Sequence, residues 1–171
     1  MAKRTSRAVL FIIAVALAPA LVSGCSEAVS GTGKAKPSDL AAHQTEVREQ
    51  HIKDVTTKAC QDFRDGRIQV IRALNDMVDA YNSENQGYDG PTVGPKMTTA
   101  LDTISKWTGT VGTDLVPEVR PEVKTAIESW RKSATDVADS LKRKDDPDSL
   151  NAKGNALNTA ADAAQDACAL Y

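Results

Sequence analysis

Three cysteines are the residues whose chemistry can be argued most closely from this sequence. Cys25 follows an apolar run, whereas Cys60 and Cys168 lie in segments that repeat apolar residues every three or four positions. A thiol can accept a lipid, form a disulfide or work in a redox pair. A redox pair usually takes the form Cys-x-x-Cys, which this chain lacks. We therefore weigh a lipid acceptor and a structural disulfide, and ask which elements would position each cysteine.

The segment before Cys25 has the layout of a secretory signal peptide. Lys3, Arg4 and Arg7 precede a charge-free apolar run at residues 8–18, and small residues follow it. Such a run is too short to favour a stable membrane-spanning helix, and its position after basic residues is typical of an exported protein. The sequence therefore predicts that residues 1–24 are a removable leader.

The end of this leader resembles the bacterial lipobox. Residues 22–25 read Val-Ser-Gly-Cys, in which an aliphatic and two small residues precede the cysteine. The resemblance implies a diacylglyceryl group on the Cys25 thiol, cleavage between Gly24 and Cys25, and acylation of the new α-amine by a chain such as palmitate. Two or three acyl chains suffice for stable anchoring. The alternative is an incidental cysteine beside an ordinary cleavage site.

The leader and the segment that follows it resemble small lipoproteins of mycobacteria and related actinobacteria. Residues 26–37 are rich in Ser, Gly, Ala and Lys and show no apolar periodicity, so we read residues 25–37 as a lipidated flexible tether. The resemblance implies a location at the cell membrane, lipid-anchored on its extracytoplasmic face. It names no activity.

The charge balance argues against nucleic acid and anionic lipid as binding partners. Removal of the leader leaves 18 basic and 23 acidic residues, a net charge of −5. This balance gives no case for nucleic-acid binding, and attraction to anionic lipid heads would be weak. We therefore expect the membrane contact to run through the lipid on Cys25.

Residues 38–171 show helical periodicity throughout. The residues of the first stripe are Cys60, Phe63, Arg67, Val70, Leu74, Met77 and Tyr81. A Gly- and Pro-rich loop follows at 82–95, Pro95 is expected to open a second helix, and Pro121 and Pro147 lie in the first turns of two more. The pattern predicts an all-α fold, an antiparallel (up-down-up-down) four-helix bundle behind the signal peptide and flexible tether.

This topology pairs the two remaining cysteines. The start of the first helix and the finish of the fourth lie at the same end of such a bundle, and Cys60 and Cys168 occupy these positions on the apolar seam. An exported compartment permits oxidation. We predict a Cys60–Cys168 disulfide; two buried free thiols are the alternative.

No catalytic, cofactor or metal site is predicted. His43 and His51 fall on a polar helical segment and point roughly 80° apart, which does not suit a shared metal. Trp107 and Trp130 either line one inter-helical groove for a ligand or partner, or pack in the core. Arg67, on the apolar seam, either reaches solvent or pairs with an acid such as Asp136.

These features favour a membrane-anchored extracytoplasmic lipoprotein that acts as a binding or protein-interaction module of the cell envelope. The alternative is a small-molecule or lipid carrier with an apolar cavity between helices. An envelope enzyme has the least support. The expected partners are the membrane, through Cys25, and an unknown envelope protein or small ligand.

Overall fold

The computed structural model describes residues 36–84 and 87–171 of the chain. The predicted leader, the cleavage point between Gly24 and Cys25, and the lipid acceptor Cys25 lie outside these residues. The described chain contains no strand and consists of helices and short connections. These are α1 (Pro37–Ser83), a 3-10 turn (Gly87–Asp89), α2 (Val93–Asp114), α3 (Pro121–Arg143) and α4 (Pro147–Ala167). The predicted all-α antiparallel four-helix bundle is confirmed.

Proline marks three of the helix starts. α1, α3 and α4 begin with Pro37, Pro121 and Pro147. Proline is tolerated there because the N–H groups of the first turn have no hydrogen-bond acceptor within the helix. The first helix thus begins one residue before the predicted boundary at 38. Asp146 caps α4 by accepting a hydrogen bond from the Ser149 amide at 3.0 Å.

The second helix begins two residues earlier than predicted. Val93, not Pro95, is its first residue and is fully buried. The Thr92 amide and hydroxyl both donate to the carboxylate of Glu84, which holds the chain in place for the helix to start there. Pro95 still fits, since its missing N–H falls among the first four, which lack intrahelical partners.

Small residues set how closely the helices approach each other. A Cβ on Gly66 of α1 would lie 3.1 Å from the Trp107 ring of α2, so these two helices pack closely at that point. The inner face of α4 is built from Ala160, Ala161 and Ala164, and this helix lies close to α3. By contrast, α1 and α4 make few close backbone approaches. The bundle is therefore tight on two sides and open along the α1–α4 side.

The first helix is about twice as long as the others. Its 47 residues span about 70 Å, against about 35 Å for the 23 residues of α3. Residues 37–51 are all exposed, and Thr56 is the first buried residue of α1. There the Thr56 hydroxyl accepts a hydrogen bond from the Arg120 amide at 3.2 Å. The N-terminal part of α1, residues 37–51, therefore projects beyond the core, and near its end Glu49 pairs with Arg120 at 3.0 Å. We call this segment the α1 extension.

No helix in the described part of the chain combines the length and the apolar character needed to cross a membrane.

Candidate ligand-binding groove

The structure joins Cys60 and Cys168 in a disulfide, as predicted. Both residues are fully buried, and their Cα atoms lie 5.6 Å apart. The bond holds the turn after α4 against α1. Beside it, the Arg64 guanidinium donates to the Cys168 carbonyl at 2.6 Å and to the Tyr171 carbonyl at 2.8 Å. This corner of the bundle is therefore fixed by one covalent bond and two hydrogen bonds.

The two tryptophans occupy different environments. Trp130 is buried in the core, with its ring edge-on to Phe63 at a centroid distance of 5.3 Å. Trp107 is half-buried against Gly66, and the Lys106 ammonium lies 5.2 Å from its ring. Neither residue lines the cavities described below. Core packing accounts for Trp130, and a ligand role for the pair stays a prediction.

An open groove runs along the α1–α4 side of the bundle. It consists of adjoining cavities of about 610, 270 and 160 Å³, of which neighbours share lining residues. The first and second share Ile71 and Asn75, and the second and third share Val78 and Leu150 among others. The α1 residues that line it run from Arg64 to Asn82, a rise of about 27 Å. We call this feature the α1–α4 groove.

The two walls of the α1–α4 groove differ in chemistry. On the α1 wall, Ile68 and Val78 are 53% and 39% exposed. The α4 wall carries Asn151, Asn155 and Asn158, whose side chains make no hydrogen bond within the described chain. Buried apolar residues form the floor; these include Met77, Val137 and Leu157. The groove thus has an apolar floor, one apolar wall and one amide wall.

Arginines line one end of the groove. Arg64, Arg67 and Arg72 all border the largest cavity. Arg67 forms an ion pair with Asp162 at 3.1 Å and also contacts Gln165, while its buried Nε has no hydrogen-bond partner. No Asp or Glu carboxylate of the described residues lies within 4 Å of Arg72. This end of the groove therefore carries excess positive charge.

The prediction about Arg67 needs one correction. Arg67 does pair with an acid, but the acid is Asp162 of α4 and not Asp136 of α3. Asp136 instead forms an ion pair with Lys132, one turn earlier on its own helix, at 2.7 Å. The reason is geometric, since Arg67 lies on the side of α1 that faces α4, whereas Lys132 is already within reach of Asp136.

Two tyrosines line the other end of the groove. The rings of Tyr81 and Tyr88 pack edge to face with centroids 4.9 Å apart. The Tyr88 hydroxyl donates to the Asp145 carbonyl at 3.0 Å, and burial raises the pKa of this hydroxyl. Tyr88 therefore stays neutral and joins the loop after α3 to this end of the groove.

A second polar cluster lies between α1 and α2. Lys58 contacts Asp62 at 2.7 Å and Asp114 at 3.0 Å, so two carboxylates share one ammonium. Burial raises the pKa of Asp114, whereas a hydrogen bond from the protonated form of Asp114 and one from the Lys58 ammonium lower the pKa of Asp62. None of these three residues borders the cavities of the groove. We therefore assign them a structural role, the joining of α1 to α2.

No group of three or more His, Cys, Asp or Glu side chains within residues 36–84 and 87–171 is placed to hold a metal ion. His43 and His51 are both exposed on the α1 extension.

Sequence reasoning missed the groove because its width depends on helix spacing. One signal was present: Ile71 and Val78 widen the apolar stripe of α1 beyond a single seam, and Ile68 adds a further exposed apolar residue. A stripe wider than its neighbours can cover leaves apolar surface open to solvent.

The comparisons with known proteins agree with the architecture. The family described as the Rv2240c four-helix bundle domain matches residues 41–169, which is most of the chain. No curated protein and no solved structure matches this chain. The match supports the actinobacterial part of the resemblance drawn from the leader and leaves lipidation a prediction. Because this match covers residues 41–169, the chain belongs to the Rv2240c four-helix bundle domain family.

Proposed function

We propose that this protein is a lipid-anchored binding module of the cell envelope that takes up its ligand through the α1–α4 groove. The observation that carries the proposal is the groove itself, with exposed Ile68 beside Arg72, which has no Asp or Glu carboxylate within 4 Å among the described residues. Exposed apolar surface next to uncompensated charge is typical of a binding site rather than of an inert surface. The lipobox at residues 22–25 supplies the anchor.

A carrier is the second candidate, and the apolar floor of the groove favours it. Met77, Val137 and Leu157 provide a strip of apolar surface that a small apolar ligand could cover. In this case the bound molecule, and not a partner protein, would fill the groove. The two candidates share one binding surface and differ in its occupant.

The anchor is tested with Cys25→Ala. The substitution should abolish incorporation of an alkyne-labelled fatty acid and release the protein from the membrane fraction, because the thiol that accepts the lipid is gone. Ser26→Ala is the matched control and should leave both unchanged. Continued lipid labelling of Cys25→Ala would contradict the assignment of the acceptor.

The groove is tested by photo-crosslinking in intact cells. A benzoylphenylalanine residue at Ile68 should form adducts that are absent when it stands at Glu128, an exposed α3 residue outside the groove. The adducts should disappear when Ile71→Glu places a charge in the groove. Identical adducts from positions 68 and 128 would contradict binding at the groove.

A further inference from the structure

We propose that the occupant of the α1–α4 groove is a single-chain lipid with an anionic head. Its alkyl chain would lie along the apolar floor, and its carboxylate or phosphate would lie at the arginine end. This inference rests on the proposed function and names the class of its ligand. Three features of the groove support it: the charge at one end, the one-sided apolar surface and the length.

The arginine end lacks enough anionic groups of its own. Arg67 pairs with Asp162, Arg64 donates to main-chain oxygens, and no Asp or Glu carboxylate of the described residues lies within 4 Å of Arg72. Asp76 also borders this cavity, but it pairs with Lys96 of α2 at 3.4 Å. Arg64 uses a single nitrogen for its two carbonyl acceptors and keeps other N–H groups free. In a chain with a net charge of −2, this is a local excess of positive charge that suits an anionic head.

The Nε atom of Arg67 adds a second reason for an anion. This donor is buried and has no acceptor in the described chain, although the same guanidinium contacts Asp162 and Gln165. A buried donor without an acceptor is costly, and a small movement of the Arg67 side chain toward a carboxylate or phosphate oxygen would supply one.

The distribution of apolar surface favours an alkyl chain over a peptide helix. A helix laid in a groove needs apolar contacts on both walls. Here the apolar residues Ile68, Ile71 and Val78 lie on the α1 wall, whereas the α4 wall presents three asparagines and Gly154, with Leu150 as an apolar residue at its narrow end. A narrow alkyl chain needs the floor and one wall only, and it leaves the amides of α4 in contact with water.

The length and closure of the groove fit a long chain. The apolar residues of α1 extend for about 20 Å from Ile68 to Tyr81, and the cavities become smaller in that direction. Tyr81, Tyr88 and Pro147 border the last and smallest cavity, of about 160 Å³. The head therefore lies at the wide, basic end and the tail at the narrow, aromatic end.

The test uses calorimetry on the mature chain carrying Cys25→Ala, so that no acyl chain of its own can fill the groove. Palmitate and palmitoyl lysophosphatidate, both below their micelle concentrations, should bind at least tenfold more tightly than hexadecyltrimethylammonium, which has the same chain length and the opposite charge. Laurate should bind at least tenfold more weakly than palmitate, since each buried methylene contributes about fourfold to affinity. Inorganic phosphate alone should not compete.

Matched variants locate the site. Arg72→Gln should weaken palmitate binding about tenfold, whereas Arg48→Gln, on the same helix but outside the groove, should not change it. Ile68→Asp should weaken it by a similar factor, whereas Leu40→Asp should not, although the two side chains are 53% and 50% exposed. Far-UV circular dichroism checks that each variant is folded.

Three results would overturn the inference: equal affinity for the anionic and cationic amphipaths, competition by phosphate alone, or equal effects of the groove and control variants. Absence of palmitate and lysophosphatidate binding would also overturn it. If the Ile68 photo-crosslink then still yields specific adducts, the groove is a binding site for another class of ligand and the proposed function stands. If the crosslink also fails, both proposals fall.

Discussion

In the Lys58–Asp62–Asp114 cluster, the pKa values of the two acids shift in opposite directions. Both carboxylates contact the same ammonium, but burial disfavours the charged form of Asp114 and raises its pKa. Hydrogen bonds from Asp114 and Lys58 favour the charged form of Asp62 and lower its pKa. The two acids therefore have opposite effects on stability as the pH changes.

Asp114→Asn should have an effect on stability that depends on pH. A raised folded-state pKa means that the folded protein binds the proton more tightly than the unfolded chain, so stability falls as pH rises through that pKa. Relative to wild type, Asp114→Asn should gain stability as the pH rises above the ordinary aspartate value of 3.8. Urea unfolding from pH 4 to 7 measures this difference.

Asp62→Asn is the matched control with the opposite sign. A lowered pKa stabilises the fold above the unfolded-state value of 3.8, and this stability is lost as pH falls through the folded-state pKa. Asp62→Asn should therefore be less stable than wild type at neutral pH and should approach wild type in acid. Parallel pH curves for the two variants would contradict these roles.

Gly66 should tolerate a side chain far less than Gly109 does. Gly66→Leu places carbon atoms against the Trp107 ring and should cost about 1–3 kcal/mol of unfolding free energy by overpacking. Gly109→Leu meets nothing within 4 Å of its Cβ and should stabilise α2 by about 0.5–1 kcal/mol through helix propensity. Urea unfolding compares the two, and equal effects would contradict the close α1–α2 contact at Gly66.

At the scale of elements, α1 and α4 depend on the disulfide more than on close packing. Their backbones make few close approaches, and Cys60–Cys168 joins them across 108 residues of sequence. Closing so long a loop removes conformational entropy from the unfolded chain. The bond thus holds the α1–α4 side together at one end while the groove remains open along the rest.

The double variant Cys60→Ala/Cys168→Ala should lower the free energy of unfolding by about 2–5 kcal/mol. Reductant should lower the free energy of unfolding of the wild type by a similar amount, and it should leave that of the double variant unchanged. Mass spectrometry of unreduced peptides should show the Cys60 and Cys168 peptides linked. An oxidised wild type no more stable than the double variant would contradict a stabilising role.

At the scale of the whole molecule, the α1 extension and the bundle have separate roles. Residues 37–51 are exposed, and α1 first enters the core at Thr56, so the extension adds length without adding core. In the proposed function, it separates the bundle from the lipid anchor. The groove then lies on the part of the chain that folds by its own core.

Proline substitutions test whether the α1 extension contributes to the stability of the bundle. Ala42→Pro should reduce the helical circular dichroism signal but leave the urea midpoint unchanged, because residue 42 is exposed and lies outside the core. Ala59→Pro, the matched change at a fully buried position of the same helix, should cost about 3 kcal/mol or more. A large shift of the midpoint in Ala42→Pro would show that the extension belongs to the cooperative unit.

Local features of the sequence predicted most of the fold. Prolines at 121 and 147 predicted helix starts because their effect is confined to one turn, and the three-four spacing around Phe63 identifies the core side of α1. Pro37, predicted to lie in the tether, is the first residue of α1. The Cys60–Cys168 pair followed from topology, since antiparallel order places the two positions at one end. The start of α2 was less predictable, because Glu84 holds Thr92 through a contact across eight residues.

The sequence by itself determined which residues face inward, since helical periodicity depends only on neighbours within two turns. Tertiary structure decided how far apart the helices lie, because that distance depends on which side chains meet at each crossing. Gly66 against Trp107 and the alanines of α4 draw two pairs of helices together, and the α1–α4 side is left open. For this reason the groove, its arginine end and the Arg67–Asp162 pair could be read only from the folded chain.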